Sequence, residues 1–218
     1  MSKNETENCK VSDKKADDLS HAVAALKRGE VIVYPTETLY GLGADALNTA
    51  AVEKVFQLKG RNPNNPIPVL VADREMLGAL IGEIPALAKK LMASFWPGPL
   101  TLVLPARRDV PRPLVNSSGA VGVRISSQPI ATELVRALGH PLTATSANPS
   151  GLTPARTVRQ AKHYFAGEIE VFIDAGELTS KTGSTVVEIS ANGVRIIREG
   201  EIGKSELQRA VGESEVVR

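Results

Sequence analysis

A pair of cations at the end of a predicted helix could bind a phosphate group. Lys59 and Arg61 flank Gly60, and a polar, proline-containing segment, 62–66, follows them. Arginine offers phosphate a planar fork of donors and lysine offers a point charge, so the pair could clamp an anion. Cations at this position also complement the helix dipole, and the pattern alone leaves both interpretations open.

Hydroxyl side chains follow a predicted buried strand near the start of the chain. Thr36 and Thr38 come after the apolar run Val31–Tyr34, in a glycine-containing loop predicted over 36–47. Ligand sites in α/β proteins form at the carboxyl ends of strands, so these hydroxyls could contact a small polar ligand. A capped structural loop is the alternative interpretation.

Two further segments place small polar side chains at strand ends. Ser146 and Asn148 follow the strand predicted over 142–145, and Ser184 precedes the strand predicted over 185–189. Serine and asparagine often hydrogen-bond their own backbone, which indicates a structural turn. The functional alternative is a set of donors that face a nucleotide, with the backbone N–H groups near Ser184 holding an anion.

Arginines end two otherwise apolar strands. Arg124 follows Val121–Val123, and Arg198 ends the strand predicted over 194–198. Either one could be a surface charge at a sheet end. Taken with the cations around Gly60, however, they would form a concentrated positive site in a chain whose net charge is only +2. Such a site suits a polyanionic ligand such as a nucleoside triphosphate, and catalysis by positioning and charge neutralisation.

The elements that position these residues alternate between strands and helices. A cap at Asp73, an opening proline at Pro129 and a closing glycine at Gly139 mark helix ends, and Asn192-Gly193 indicates a hairpin. Strands are predicted over 31–34, 67–71, 100–104, 121–125, 142–145, 171–173, 185–189 and 194–198, and helices around 19–26, 52–59, 85–95, 129–139, 156–165 and 204–211. This alternation predicts one α/β domain with a mixed sheet.

Composition excludes several classes of protein. The chain has 218 residues, of which 42% are hydrophobic and 23% charged, as in an ordinary globular domain. A single cysteine, Cys9, excludes an intrachain disulfide and a cysteine-based zinc site, and favours a cytoplasmic setting. The chain contains no apolar run of the roughly 20 residues that span a membrane. Met1–Ala16 is polar and is predicted to be a disordered arm, so that the domain covers 17–218.

The ordered set of motifs resembles the YrdC-like domain, the family of threonylcarbamoyl-AMP synthases. The motifs that carry the resemblance are Pro35–Gly43, Lys59–Arg61, Trp96–Thr101, Val123–Ile125, Ser146–Asn148 and Gly183–Val187. Each motif is weak alone, but their order is specific, and the resemblance covers 19–202. It implies the short, single-domain form of the family, in which a twisted α/β sheet with flanking helices surrounds a positively lined cavity.

The resemblance also implies a reaction and its participants. Members of the family convert L-threonine, bicarbonate and ATP to threonylcarbamoyl-adenylate and pyrophosphate. A partner complex then transfers the threonylcarbamoyl group to the adenosine next to the anticodon of certain tRNAs, and members have been described as binding RNA directly. Mg²⁺ is expected to enter on the phosphates of ATP, because this ion keeps its waters and needs few protein carboxylates.

Residue roles follow from the resemblance position by position. Lys59 and Arg61 are implied as the catalytic cations. ATP would be bound by Lys59, Arg61, Asn65, Ser146, Asn148 and Arg198, and threonine by Thr36, Thr38, Arg124 and Ser184. Some members place a threonine-contacting histidine where this chain has Leu70, so that contact is not expected here.

Two other functions remain open at this stage. An RNA-binding or regulatory module could use the same basic cavity, although a net charge of +2 and 4% aromatic residues disfavour extended stacking on single strands. A carbamoyl-handling enzyme of related fold could also use a different acceptor.

Overall fold

The structure, a computed structural model, describes residues 17–190 and 192–217. The arm predicted over Met1–Ala16, with Cys9, lies outside the described residues. In the described ranges no helix combines the length and the apolar character that crossing a membrane would require.

The helices begin and end largely where local signals predict. They are α1 (17–27), α2 (Thr49–Lys59), α3 (Arg74–Leu80), α4 (Ala86–Phe95), α5 (Pro129–Leu138), α6 (Val158–Phe165) and α7 (Lys204–Val211), with short 3₁₀ turns at Arg112–Leu114 and Glu213–Glu215. Asp73 caps α3 by accepting a hydrogen bond from the Met76 N–H at 2.9 Å, and Gly139 ends α5 with a left-handed φ of 78°. The predicted caps of these two helices are therefore confirmed.

The strands form two sheets. They are β1 (Ile32–Pro35), β2 (Tyr40–Gly43), β3 (Val69–Leu70), β4 (Leu100–Pro105), β5 (Ala120–Arg124), β6 (Leu142–Thr143), β7 (Thr145–Ser146), β8 (Thr185–Ser190), β9 (Gly193–Arg198) and β10 (Val216–Val217). A seven-stranded sheet has the order β10-β9-β8-β4-β5-β3-β6, and a three-stranded sheet has the order β1-β2-β7. Parallel and antiparallel pairs both occur in the larger sheet, so the predicted α/β class with a mixed sheet is confirmed.

Three sequence predictions about strands are wrong in detail. The loop predicted over 36–47 contains β2, which pairs antiparallel with β1. The single strand predicted over 142–145 divides at Ala144 into β6 and β7, which belong to different sheets. The segment 171–173 is not a strand of a sheet, since it makes only an isolated bridge between Val33 and Phe172. In each case tertiary pairing overrides the local pattern.

Two buried tyrosines fix the position of the three-stranded sheet. The Tyr34 hydroxyl donates to the Thr143 carbonyl oxygen at 2.9 Å, and burial raises the pKa of Tyr34 above its usual range. The Tyr40 hydroxyl donates to the Gly176 carbonyl oxygen at 2.8 Å, and burial raises the pKa of Tyr40 to about 12. Both phenols therefore stay neutral and anchor β1 and β2 to the chain segments behind them.

Candidate active site

A cavity of about 460 Å³ opens where the two sheets face each other, and residues of both sheets line it. Most of the predicted ligand-binding residues contribute to its wall, namely Thr36, Thr38, Arg61, Asn65, Arg124, Ser146, Ser184 and Arg198. Lys59 and Asn148 do not contribute to the wall and lie behind it. Residues that are spread over most of the chain thus converge on one cavity.

Arg61 reaches the cavity because α2 ends two residues before it, at Lys59. Gly60 adopts a left-handed φ of 55°, which only glycine takes without strain, and turns the chain at the helix end. The Arg61 guanidinium then donates through Nε to the Asn65 carbonyl oxygen at 2.7 Å and through Nη2 to the Pro66 carbonyl oxygen at 3.2 Å. Burial lowers the pKa of Arg61, but arginine keeps its charge in proteins. The segment after α2 therefore holds a fixed cation in the wall.

Lys59 lies behind the cavity wall, and its amine is hydrogen-bonded within the protein. Its Nζ donates to the carbonyl oxygens of Ser146 and Asn148 at 2.6 and 2.7 Å, and its own carbonyl oxygen accepts from the Ser150 N–H at 2.7 Å. Burial, and secondarily the charge of Arg61, lower the pKa of Lys59 to about 7. Lys59 thus ties α2 to the turn that follows β7. Its direct contact with phosphate stays a prediction.

Asn148 stabilises the same turn from the other side. Its Nδ2 donates to the carbonyl oxygens of Pro149 and Leu152 at 2.9 and 2.7 Å. Its Oδ1 is buried and accepts no hydrogen bond within the described ranges. An unsatisfied acceptor of this kind is costly in a folded protein, and a ligand donor would relieve that cost.

The two threonine hydroxyls lie together at the cavity. Thr36 Oγ1 donates to the Leu39 carbonyl oxygen at 2.7 Å and accepts from the backbone N–H groups of Thr38 and Leu39 at 3.2 Å. Thr38 Oγ1 is 3.0 Å from Thr36 Oγ1, and either hydroxyl could donate in that pair. A hydroxyl both donates and accepts, so Thr38 suits a polar group of a ligand such as an amine or a hydroxyl.

Arg124 is a cation with unused donors. Arg124 is the last residue of β5 and is only 5% exposed. It contributes to the cavity wall. Nε and Nη1 make no hydrogen bond within the part of the chain that the structure describes. In those residues Arg124 forms one ion pair, with Glu37, whose Oε1 is 3.3 Å from Nη1. A ligand carboxylate could take up the free donors of this fork.

Arg198 and Ser184 form a single unit where β8 begins and β9 ends. The Arg198 guanidinium donates to the Ser184 carbonyl oxygen at 3.2 and 2.8 Å and to Ser184 Oγ at 3.1 Å. Burial lowers the pKa of Arg198, and the charges of Arg124 and Arg61 lower it further. The three guanidinium groups therefore repel one another, and a polyanion bound between them would relieve that repulsion.

The backbone of Gly200 packs directly against the segment that carries Ser184. An added Cβ at Gly200 would lie 2.6 Å from the carbonyl carbon of Ser184 and would also overlap the carbonyl oxygen of Gly183. We expect Gly200→Ala to displace Ser184 and to lower the free energy of unfolding by about 1–3 kcal/mol, as overpacking does. Urea denaturation and ligand affinity would both report the change.

A matched control is available in α3. A Cβ added at Gly78 meets nothing within 4 Å, so Gly78→Ala should leave ligand affinity unchanged and stabilise the helix by about 0.5–1 kcal/mol. Equal behaviour of the two variants would show that the contact of Gly200 does not position Ser184.

Metal ligands do not converge in the described ranges, where no group of three or more His, Cys, Asp or Glu side chains could hold an ion. The Mg²⁺ expectation therefore stays a prediction in which phosphate oxygens and water supply the ligands.

Sequence reasoning missed several polar residues at this site, four of which form two pairs. Glu188 and Arg195 both contribute to the cavity wall and form an ion pair across the β8–β9 hairpin. Glu37 and Ser126 lie behind Arg124 and hydrogen-bond each other. A two-residue turn at Asn192-Gly193 would have paired Glu188 with Ile197, whereas the observed register pairs Glu188 with Arg195. The pattern carried no signal for Ser126.

Comparison with known proteins identifies relatives over most of the chain. The model of the Sua5/YciO/YrdC family, described as telomere recombination, matches residues 24–200. A threonylcarbamoyl-AMP synthase of Pyrococcus abyssi is 38% identical over 192 residues, which are 88% of this chain and 56% of that protein. A putative threonylcarbamoyl-AMP synthase of Mycobacterium tuberculosis is 33% identical over 208 residues, which are 95% of each chain.

A solved structure of a Sua5 protein is similar to this chain in fold as well as in sequence. The crystal structure of P. abyssi Sua5 complexed with L-threonine matches with a TM-score of 0.87 at 37% identity and covers 91% of this chain and 58% of that one. The chain thus spans little more than half the length of the P. abyssi protein and nearly all of the mycobacterial one.

Proposed function

Because this chain belongs to the Sua5/YciO/YrdC family, we propose that it forms threonylcarbamoyl-AMP and pyrophosphate from L-threonine, bicarbonate and ATP. The observation that carries the proposal is the arrangement of cations in one cavity. Arg61 and Arg198 are held by carbonyl oxygens, while Arg124 keeps free donors and lines the same cavity as Thr38. Such a cavity suits a triphosphate and an amino acid together.

The amino acid is proposed to bind at Arg124 and Thr38. Arg124 would receive the carboxylate in its fork, and the acceptor oxygen of Thr38 would receive an N–H of the amine. The neutral amine attacks the carbon of bicarbonate and forms a C–N bond, and water leaves after proton transfer, so that a carbamate results. Fixing the amine in this way supplies orientation, which is a major source of rate acceleration.

The second step is proposed to occur near Arg61 and Arg198. A carbamate oxygen attacks the α-phosphorus of ATP, the bond to the bridging oxygen breaks, and pyrophosphate leaves with the electron pair. Negative charge builds on the phosphate oxygens, and fixed cations close to them lower the barrier. When Mg²⁺ is bound to the phosphates it supplies further charge neutralisation. Lys59 contributes by holding the turn at Ser146 in place.

The product is proposed to pass to a transfer complex that modifies the adenosine next to the anticodon of tRNA. This partner, direct tRNA binding and the cytoplasmic setting stay predictions. The carbamoyl-adenylate is a reactive mixed anhydride, so rapid transfer would limit its hydrolysis.

Pyrophosphate release tests the proposal directly. We expect release only when ATP, L-threonine and bicarbonate are present together, because the attacking group is assembled from the last two. Omission of each component in turn is the control, and replacement of threonine by serine tests the acceptor. ATP turnover that does not depend on threonine would contradict the proposal. Salt-sensitive tRNA binding without any adenylate product would favour the RNA-binding alternative.

A further inference from the structure

Glu37 occupies a place that the reaction proposed above does not use. It stands between Thr36 and Thr38, both of which contribute to the cavity wall, whereas Glu37 does not. Its side chain is 14% exposed and lies beside the Arg124 guanidinium. The alternation of these three residues therefore directs two hydroxyls toward the ligand and one carboxylate toward the cation.

Both carboxylate oxygens of Glu37 have defined neighbours. Oε2 accepts a hydrogen bond from Ser126 Oγ, and that hydroxyl oxygen in turn accepts from the Gln128 N–H at 3.1 Å. Gln128 is the N-cap residue of α5, so the carboxylate is attached to the start of a helix. Oε1 is 3.3 Å from Arg124 Nη1 and accepts no hydrogen bond within the described ranges.

The cations of the cavity differ in their acidic partners. Arg61 donates to the carbonyl oxygens of Asn65 and Pro66, and Arg198 donates to Ser184. Neither forms an ion pair within the described residues, whereas Arg124 pairs with Glu37 and Arg195 pairs with Glu188. Arg61 and Arg198 therefore keep their full field toward a polyanion. The carboxylate at Arg124 offsets the distant field of that cation but leaves its short-range donors available.

We propose that Glu37, held by Ser126, is a positioning residue that reserves Arg124 for the amino-acid carboxylate and disfavours phosphate there. The inference rests on the function proposed above, since it specifies how one cavity separates two anionic substrates. A singly charged carboxylate can use the fork of Arg124 at contact distance. A triphosphate or pyrophosphate, which is attracted mainly by long-range charge, is directed to Arg61 and Arg198.

Glu37→Gln tests the proposal, because glutamine keeps the shape and the acceptor for Ser126 but removes the charge. We expect the KM for threonine to rise about tenfold while kcat changes by no more than about threefold, the pattern of lost ground-state binding. We also expect pyrophosphate, present as an inhibitor, to bind at least about fivefold more tightly, because Arg124 becomes an open anion site. A merely structural role would not tighten pyrophosphate binding.

Two further variants separate positioning from loss of fold. Ser126→Ala keeps the charge of Glu37, so it should raise the threonine KM and leave pyrophosphate inhibition unchanged. Glu30→Gln is the matched control, since Glu30 also pairs with an arginine, Arg28, at 2.7 Å, but on the exposed surface. It should change neither quantity. Thermal melting of each variant would verify folding.

The outcomes separate this inference from the proposed function. Wild-type pyrophosphate inhibition in Glu37→Gln, or an equal change of pyrophosphate inhibition in Glu37→Gln and Ser126→Ala, would overturn the inference while leaving the reaction intact. If the wild-type protein forms no adenylate, the proposed function fails. Calorimetric titration with pyrophosphate of the wild type and of Glu37→Gln then still decides whether the carboxylate excludes anions from Arg124.

Discussion

Replacing Arg61 with alanine is expected to lower kcat/KM for adenylate formation at least about a hundredfold, or ~3 kcal/mol, as for other losses of a fixed charge-stabilising donor. The carbonyl oxygens of Asn65 and Pro66 hold the guanidinium at a fixed position in the cavity wall. Alanine leaves that position without a cation. The charge of the guanidinium acts on phosphate oxygens that become more negative as pyrophosphate leaves. The loss should therefore fall mainly on kcat. Pyrophosphate release at saturating threonine is the measurement.

Two variants control for effects of charge and of fold. Arg136 is an exposed arginine on α5, so Arg136→Ala changes the net charge by the same amount and should leave the rate within about twofold, as surface changes usually do. Arg61→Lys keeps the charge but loses the two-pronged anchor, and we expect an intermediate loss. A rate for Arg61→Ala close to that of Arg136→Ala would refute a role for Arg61 in catalysis.

The local signals around Arg61 show what can be predicted from the sequence. The end of a helix near Lys59-Gly60 follows from short-range chemistry, and the structure confirms it, since α2 ends at Lys59. The left-handed φ of 55° at Gly60 is an addition from the structure. The prediction of α7 is confirmed as well, since its observed bounds, Lys204–Val211, coincide with it. Caps and turns are properties of a few neighbouring residues, so they survive without knowledge of the fold.

The error at β2 has a tertiary cause. Gly41 and Gly43 suggested a loop, but an added Cβ at Gly43 would lie 2.9 Å from ring atoms of Tyr34, and one at Gly41 would lie 3.1 Å from the same ring. The glycines are present because the buried ring crosses the paired strand, not because the chain must turn there. Only the pairing of β1 with β2 reveals this, and no local pattern carries it.

In the candidate site, too, local features could be predicted from the sequence and tertiary contacts could not. The sequence predicts which residue types could bind anions, and eight of the predicted ligand-binding residues do contribute to one cavity wall. It does not predict that the Lys59 amine turns inward, because that depends on where the turn at Ser146–Asn148 packs against α2. The different role of Glu37 from that of its two threonine neighbours could not be predicted either, because its partner Ser126 is distant in sequence.

The net charge of +2 conceals an uneven distribution. Cations that face the cavity are held by backbone carbonyl oxygens or by the carboxylates of Glu37 and Glu188. Burial lowers the pKa of Arg198, and the charges of Arg124 and Arg61 lower it further. A ligand with several negative charges therefore gains affinity by removing a repulsion that folding has already built. This is electrostatic preorganisation, in which the fold bears the cost before the substrate arrives.

Replacing Lys59 with methionine should have the largest effect on the fold. Methionine preserves most of the buried volume but removes the donor to the Asn148 carbonyl oxygen and one of the two donors to the Ser146 carbonyl oxygen, which also accepts from the Asn148 N–H at 3.0 Å. The unsatisfied acceptor costs about 1–3 kcal/mol and the second lost hydrogen bond about 1 kcal/mol, so we expect a loss of roughly 2–4 kcal/mol in the free energy of unfolding. Activity should fall with it, because the turn that carries Ser146 loosens. Lys54→Met, an exposed change on the same helix, is the control for both measurements.

The pH dependence of this loss distinguishes a titrating amine from a permanent cation. Burial lowers the pKa of Lys59 to about 7 in the folded chain, against 10.5 for an unperturbed lysine. Between these values the unfolded state binds more protons, so this group makes the free energy of unfolding rise with pH. Lys59→Met removes that contribution, and its deficit relative to the wild type should therefore grow between about pH 7 and about pH 9. Urea denaturation at several pH values measures it, and a deficit that stays constant would mean that Lys59 keeps its proton because the two carbonyl acceptors outweigh burial.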